Sequence, residues 1–266
     1  MVATISSEFR KFFTTRLWWG MAIGTFVAAA AFAGLFGALA SRTGLGDPAQ
    51  GGIPPMSDHQ IAVNVYSSGV SVGYLLTLAI GVLTIGSEYR HKTMTSTFLA
   101  TPRRVTVMWA KVISLLGIGG LYGVVFIIGS VAVGATVLSV RGMPAFAGAG
   151  SIVRTLVLIL LVLGLWALIG LGAGILIPNQ VAALLIAIGV AWIVEPIAGA
   201  LLSTQSWGAG VAQFLPSRAT TAVLQSYNGG GEAEQLSWWA GALVLAAYAA
   251  LMAGIGSALT VRRDIS

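Results

Sequence analysis

Six stretches of the chain stay apolar for about 20 residues or more, the length a helix rising ~1.5 Å per residue needs to cross ~30 Å of hydrocarbon. They run from Leu17 to Ala40, Tyr66 to Gly86, Met108 to Leu138, Thr155 to Ile177, Val181 to Leu202 and Ala240 to Val261. The third is longer than one crossing requires, which predicts tilt or projection beyond the bilayer. Basic residues before the first run, and Ala38-Leu39-Ala40 at its end, imitate a signal peptide. A signal core spans only ~7 to 15 residues, so a retained helix is expected instead. Ahead of it, Ile5, Phe9, Phe12 and Phe13 recur at helical spacing while Arg10, Lys11 and Thr14 take the other face. This pattern predicts an interfacial amphipathic helix over residues 1–16, serving either as an anchor or as a transmitter of motion.

Composition points to lipid as the solvent. Of the 266 residues, 8% are Asp, Glu, Lys or Arg, against roughly 25% in ordinary soluble domains. The hydrophobic share is 57% and the mean hydropathy +0.91, more apolar surface than one globular core hides. The chain reads as an all-α polytopic membrane protein, one transmembrane domain over residues 1–266. A net charge of +6 would suggest nucleic acid as the partner of a soluble protein; here the placement of the bases matters more, and no nucleic-acid partner is expected. Cysteine is absent, and only His59 and His91 offer imidazole, so no metal site and no thiolate chemistry are expected.

Sorting Lys and Arg among the loops sets the orientation. Arg10, Lys11, Arg16, Arg90, Lys92, Arg103, Arg104, Lys111, Arg262 and Arg263 fall on one side, and Arg42, Arg141, Arg154 and Arg218 on the other. That excess places both termini in the cytoplasm, with a plasma-membrane location. Trp18, Trp19 and Trp109 then lie at the inner interface and Trp207, Trp238 and Trp239 at the outer one, as amphipathic indoles prefer. Gly20 and Gly24, Gly69 and Gly73, and Gly119 and Gly123 each stand four residues apart, which predicts close helix packing.

The inner loop after the second run, residues 87–104, reads as a short helix. Ser87 is placed to cap it, Glu88 suits the positive end of its dipole, and Pro102 ends it. Met94 and Phe98 lie one turn apart and offer apolar knobs, with Arg90 and Lys92 as charge. Orientation alone would explain the bases; a capped, aromatic-bearing helix suggests docking.

Over Ser87-Glu88-Tyr89-Arg90-His91-Lys92-Thr93-Met94, then Phe98-Leu99-Ala100-Thr101-Pro102-Arg103-Arg104 and Lys111, the sequence resembles the permease subunit of a type-2 ABC transporter. The resemblance extends to the N-terminal helix, the six spans and a last external segment, residues 203–239, with short re-entrant helices. It implies that the loop is a coupling helix inserting into an ATPase subunit, with Glu88, Tyr89, Arg90, Lys92, Met94, Phe98, Pro102 and Arg103 as coupling residues. It further implies export of an amphiphilic or hydrophobic compound. The chain has no Gly-x-x-x-x-Gly-Lys-Ser/Thr cradle. ATP and Mg are therefore expected on two copies of a separate ATPase, with no cofactor and no catalytic residue in this chain. Six helices are half the complement that the resemblance implies, so a homodimer is expected. The turn at Pro178 lacks the basic residue often found there in such permeases.

Glu195 is the acid inside a span, and Pro196 after it would clash with the Trp192 carbonyl and loosen the helix. It reads either as a gate or substrate contact near the outer mouth, or as a structural carboxyl, protonated or paired with a base such as Arg218. Tyr74, Trp166 and Trp192 are further pathway candidates, with packing as the competing role. In the external segment, Gly208 to Phe214 and Ser217 to Ser226 read as two short helices broken at Leu215-Pro216. An ion-coupled transporter or channel, or a membrane scaffold without transport, are the alternative functions; a membrane enzyme would need a polar catalytic cluster not evident here.

Overall fold

The computed structural model describes residues 1–40, 56–91, 93, 104–205, 207–226 and 236–262. Among them every regular element is helical, and six helices are long and apolar enough to cross a membrane. Helix α1, Val2–Thr14, precedes α2, Leu17–Ala40, whose start matches that of the first apolar run. The second crossing is α3, Asp58–Ser67, continued after Ser68 and Gly69 by α4, Val70–Arg90. Helix α5 spans Arg104–Val140 and α6 Ala149–Leu176. The fifth crossing joins α7, Gln180–Gly189, to α8, Glu195–Ser203, through a π turn over Val190–Val194. Two short helices, α9 (Gly208–Ala212) and α10 (Pro216–Leu224), lead toward α11, Trp238–Arg262.

Caps explain several of these boundaries. Ser57 and Gln60 form a reciprocal capping box at the start of α3, which satisfies two otherwise orphaned N–H groups. This start lies eight residues before Tyr66, the limit expected from hydropathy, because Asp58, His59, Gln60 and Asn64 dilute the apolar signal without breaking the helix. Asn179 accepts from the Val181 and Ala182 N–H groups and so starts α7 straight after Pro178. The expected cap at Ser87 is overturned. Helix α4 runs on to Arg90, and the Ser87 hydroxyl donates to the Thr84 carbonyl within it. Glu88 therefore sits in the last turn of a helix, the negative end of the dipole, not in the first turn of a new one.

Helix α6 is the centre of the bundle: α4, α5 and α11 all pack on it, and α2 lies against α5 on the far side. Lipid supplies no hydrophobic drive for helix association, so small residues that permit backbone contact do the work. The closest approach is α4 to α6. A side chain at Gly81 would overlap the Ala167 carbonyl, and one at Gly170 the Leu78 carbonyl. Gly119 of the glycine pairs read from the sequence meets the Gly164 backbone, where a Cβ would stand 2.6 Å from its Cα, and Gly123 meets Leu160. Gly20 touches nothing within 4 Å and contributes no such contact.

Gly170→Ala should thus force α4 and α6 apart, at about 1–3 kcal/mol or more, whereas Gly20→Ala should stay within about 1 kcal/mol of wild type. Melting curves of the two variants in detergent check this; equal melting temperatures would refute the α4–α6 contact.

Candidate functional site

Two polar constellations stand out, one at each end of the bundle. At the end where α1, α4 and α5 meet, Lys111 is fully buried in the second turn of α5. An isolated ammonium there would carry a desolvation penalty of several kcal/mol, and two carboxylates offset it. Lys111 Nζ donates to Glu8 Oε2 at 2.8 Å and to Glu88 Oε1 at 2.6 Å. Lys11 Nζ closes the ring, donating to Glu8 Oε1 at 2.7 Å and Glu88 Oε1 at 3.0 Å. Two acids and two bases thus form a neutral cluster tying α1 to the last turn of α4 and the beginning of α5. Glu88 Oε2 is buried and accepts no hydrogen bond among the described residues. A missing bond of this kind costs about 1–3 kcal/mol or more.

Burial alone would raise the Glu8 carboxyl, but Lys111 and Lys11 overcome it and hold Glu8 below its ordinary value. Lys11 is desolvated too, yet its bonds to Glu8 and the charge of Glu88 hold it above its ordinary value. Lys11, expected on the polar face of α1 with Arg10 and Thr14, is 42% exposed and reaches Glu8, which is buried with Phe12. Phe12 meets Tyr122 edge-on at 6.1 Å, and Phe9 fits over Gly117. Tyr122 in turn donates to the Trp18 carbonyl at 2.6 Å. Helix α1 is therefore docked on α5 by both aromatic and ionic contacts.

Of the residues expected to couple, Glu88 lies in this cluster, Tyr89 packs partly buried against the core, and Arg90 is exposed at the end of α4. Lys92, Met94, Phe98, Pro102 and Arg103 lie outside the described residues. Glu8 and Lys11 escaped sequence reasoning as site residues, although their i,i+3 spacing was a visible signal of a pair.

At the opposite end a cavity of about 700 Å³ opens between α2, α3, α4 and α10. Ser67, Ser71, Tyr74, Arg218 and Thr220 supply polar wall, and Phe36, Leu39, Ile61, Val65 and Leu224 apolar wall. Tyr74 stacks on Trp166 with ring centroids 4.1 Å apart, and the Trp166 indole donates to Thr220 Oγ1 at 2.9 Å. Of the expected pathway residues, Tyr74 thus lines the cavity and Trp166 stands behind it. Trp192 is 59% exposed on the outer surface of the π turn and does not reach it.

Glu195 is buried with 6% exposure, and its carboxylate accepts from the Ser217 backbone N–H at the start of α10. Helix α10 has no side-chain cap of its own at Leu215, so Glu195 serves as one from a distant helix, with its oxygen at the positive end of the dipole. This is a structural role of the kind considered, but the ion pair with Arg218 is not made. Pro196, next in sequence, lines the cavity. The loosening expected at this proline takes the form of the π turn, in which the Glu195 N–H reaches back to the Val190 carbonyl.

No protein-family model and no curated protein matches this chain. The site is accordingly read on its own geometry. The same end holds further ties between crossings: His59 Nδ1 lies 3.1 Å from the Ala147 carbonyl, Tyr66 donates to Ala145 at 2.6 Å, and Arg154 lies 6.0 Å from the Trp238 ring centroid. Among the described residues no group of three or more His, Cys, Asp or Glu could hold a metal.

Removing the buried base should expose the design of the ionic cluster. Lys111→Met leaves two buried carboxylates facing only the half-exposed Lys11, and should cost about 3–5 kcal/mol. Lys11→Met should cost much less, since its side chain is 42% exposed and screened. Unfolding in detergent measures both. The pH dependence has a definite sign: the stability that a lowered Glu8 supplies is complete above its ordinary value near 4.5 and is lost as pH falls through the lowered one. Glu8→Gln should flatten that acid limb; an unchanged limb would mean that Glu8 is not ionised in the fold.

Proposed function

We propose that the chain is the membrane-spanning permease subunit of an ATP-driven ABC exporter for an amphiphilic or hydrophobic compound, working as a homodimer with two copies of a separate ATPase. The observation that carries this reading is the four-residue ionic cluster at the base of α4. A docked ATPase would press on the loop between α4 and α5, residues 91–103, and the cluster fastens both ends of that loop to α1. Displacement of the loop would then reach three helices at once. Glu88 Oε2, which accepts no hydrogen bond among the described residues, supports an alternative arrangement in which a donor reaches it, as a two-state element requires. In this reading α1 lies along the inner leaflet as an interfacial helix, the loop forms the coupling helix, and α9 and α10 are re-entrant segments partly capping the pathway. The cavity beside Tyr74 is part of that pathway near the outer face.

An ion-coupled transporter would use carboxylates along its route. Glu195 instead has its carboxyl engaged as a cap on α10, which favours the ATP-driven reading over that alternative.

The coupling test uses vesicles containing the chain and the ATPase with which it co-purifies. Arg90→Ala, at an exposed position, should preserve folding and lower substrate-stimulated ATP hydrolysis about fivefold or more, the scale of a typical coupling energy. Glu88→Gln should do the same with a lowered melting temperature. Wild-type stimulation in both variants, or the absence of any co-purifying ATPase, would overturn the assignment.

Orientation is tested in this cysteine-free chain by single cysteines at two exposed serines, Ser7 on α1 and Ser139 in the last turn of α5. In intact cells an impermeant maleimide should label Ser139→Cys and spare Ser7→Cys. The reverse pattern would turn the protein over and remove the coupling end from the cytoplasm.

A further inference from the structure

The cavity beside Tyr74 has a chemistry that narrows its occupant. Its volume, about 700 Å³, lies within the ~300–1,000 Å³ of small-molecule sites. Its two kinds of wall come largely from different elements. Phe36 and Leu39 of α2 with Ile61 and Val65 of α3 supply apolar wall, whereas Ser67 at the end of α3, Ser71 and Tyr74 of α4 and Thr220 of α10 supply hydroxyl-bearing side chains. Among the described lining residues Arg218 is the one that carries a charge. It is half-buried, and no carboxylate pairs with it among the described residues. Glu195 is close in the fold, since both its neighbour Pro196 and its hydrogen-bond partner Ser217 line the cavity. Its own carboxylate, however, is buried and spent on the start of α10. The cavity therefore presents a guanidinium uncommitted to an acid among the described residues, several hydroxyl-bearing side chains and an apolar recess.

We propose that this cavity binds a single-chain anionic amphiphile, its carboxylate or phosphate headgroup paired with Arg218 and its tail between α2 and α3. Guanidinium is the group best matched to either anion, because its planar fork donates two parallel bonds to both. The Ser71 and Tyr74 hydroxyls are placed to satisfy remaining headgroup oxygens, and Phe36, Leu39 and Ile61 exclude water from the tail. This inference rests on reading the cavity as part of the pathway and supplies the charge class of what passes or lodges there.

Purified full-length chain in a nonionic detergent should be titrated with four ligands sharing a twelve-carbon tail: dodecanoate, dodecyl phosphate, dodecanol and dodecylamine. The two anions should bind at least about tenfold more tightly than the alcohol, a difference of about 1.4 kcal/mol, and the amine more weakly than the alcohol. Arg218→Gln should bring the anions down to the affinity of the alcohol while leaving the alcohol unchanged, and Arg218→Lys should keep part of the preference. Equal affinities across the wild-type series would overturn the proposal, as would an anion preference that survives Arg218→Gln. Should Arg218→Gln fail to fold, the wild-type series still decides, together with Ser71→Phe, which fills the cavity and should abolish binding of all four ligands. Binding to the chain alone requires no ATPase. Failure of the coupling reading therefore leaves this result standing, and failure here leaves coupling untouched. To separate a resident lipid from a free amphiphile, dodecyl phosphate binding is compared in phosphatidylglycerol and phosphatidylcholine nanodiscs. Suppression by phosphatidylglycerol assigns the site to a lipid headgroup, and equal binding assigns it to a free amphiphile.

Discussion

A fully buried ammonium governs one end of this molecule. Lys111 lies where α5 is already enclosed by α1 and α4, and its charge is tolerable only because Glu8 and Glu88 converge on it from two other helices. Buried ion pairs add little net stability relative to apolar replacements, but they penalise any arrangement that leaves a member alone. The consequence is geometric: α1, the end of α4 and the start of α5 are obliged to keep company. A short N-terminal helix that would otherwise be held by aromatic contacts alone becomes a fixed part of the bundle.

Away from that end the bundle is held by contact rather than charge. Gly81 and Gly170 let the α4 and α6 backbones meet, and Gly119 and Gly123 do the same for α5 on α6. Because α4 is close-packed along its length and ionically tied at its last turn, it is suited to move as a rigid rod. Its other end forms one wall of the cavity through Ser71 and Tyr74. A single stiff element thus reaches from the ionic cluster to the cavity, and the proposed transmission between ATPase and pathway needs no longer chain of contacts.

How much of this was legible in the sequence depended on the range of the interaction. The start of the first span is read to the residue because the chain turns apolar at Leu17, straight after Arg16. The two short helices before the last span were legible from Pro216, and the disturbance of the fifth from Pro196. The identity of Lys111's partners was not, since Glu88 lies 23 residues away and Glu8 103 residues away. Nor was the facing of Trp192 legible. A span apolar all round carries no amphipathic signal to distinguish its buried side, and Trp192 faces outward. Gly81 has no glycine four residues away in α4, so its contact with the α6 backbone could be found only from packing, although Gly170 and Gly174 on the facing helix do stand four apart.

The π turn at Val190–Val194 sets the phase of everything that follows it in the fifth crossing. One extra residue in a turn advances a helix by about 100° relative to an unbroken one. Glu195 reaches the start of α10 from the far side of that advance. The local winding of this segment is therefore as much a determinant as its chemistry: the same residues wound as an uninterrupted α-helix would turn the carboxylate about a quarter-turn away from its present direction. Helix α10 would then lose its borrowed cap. In this crossing a one-residue deletion at the π turn can be absorbed by reversion to α-helix, whereas an insertion would put Glu195 out of reach of α10, and most exchanges of one apolar side chain for another would leave the arrangement in phase.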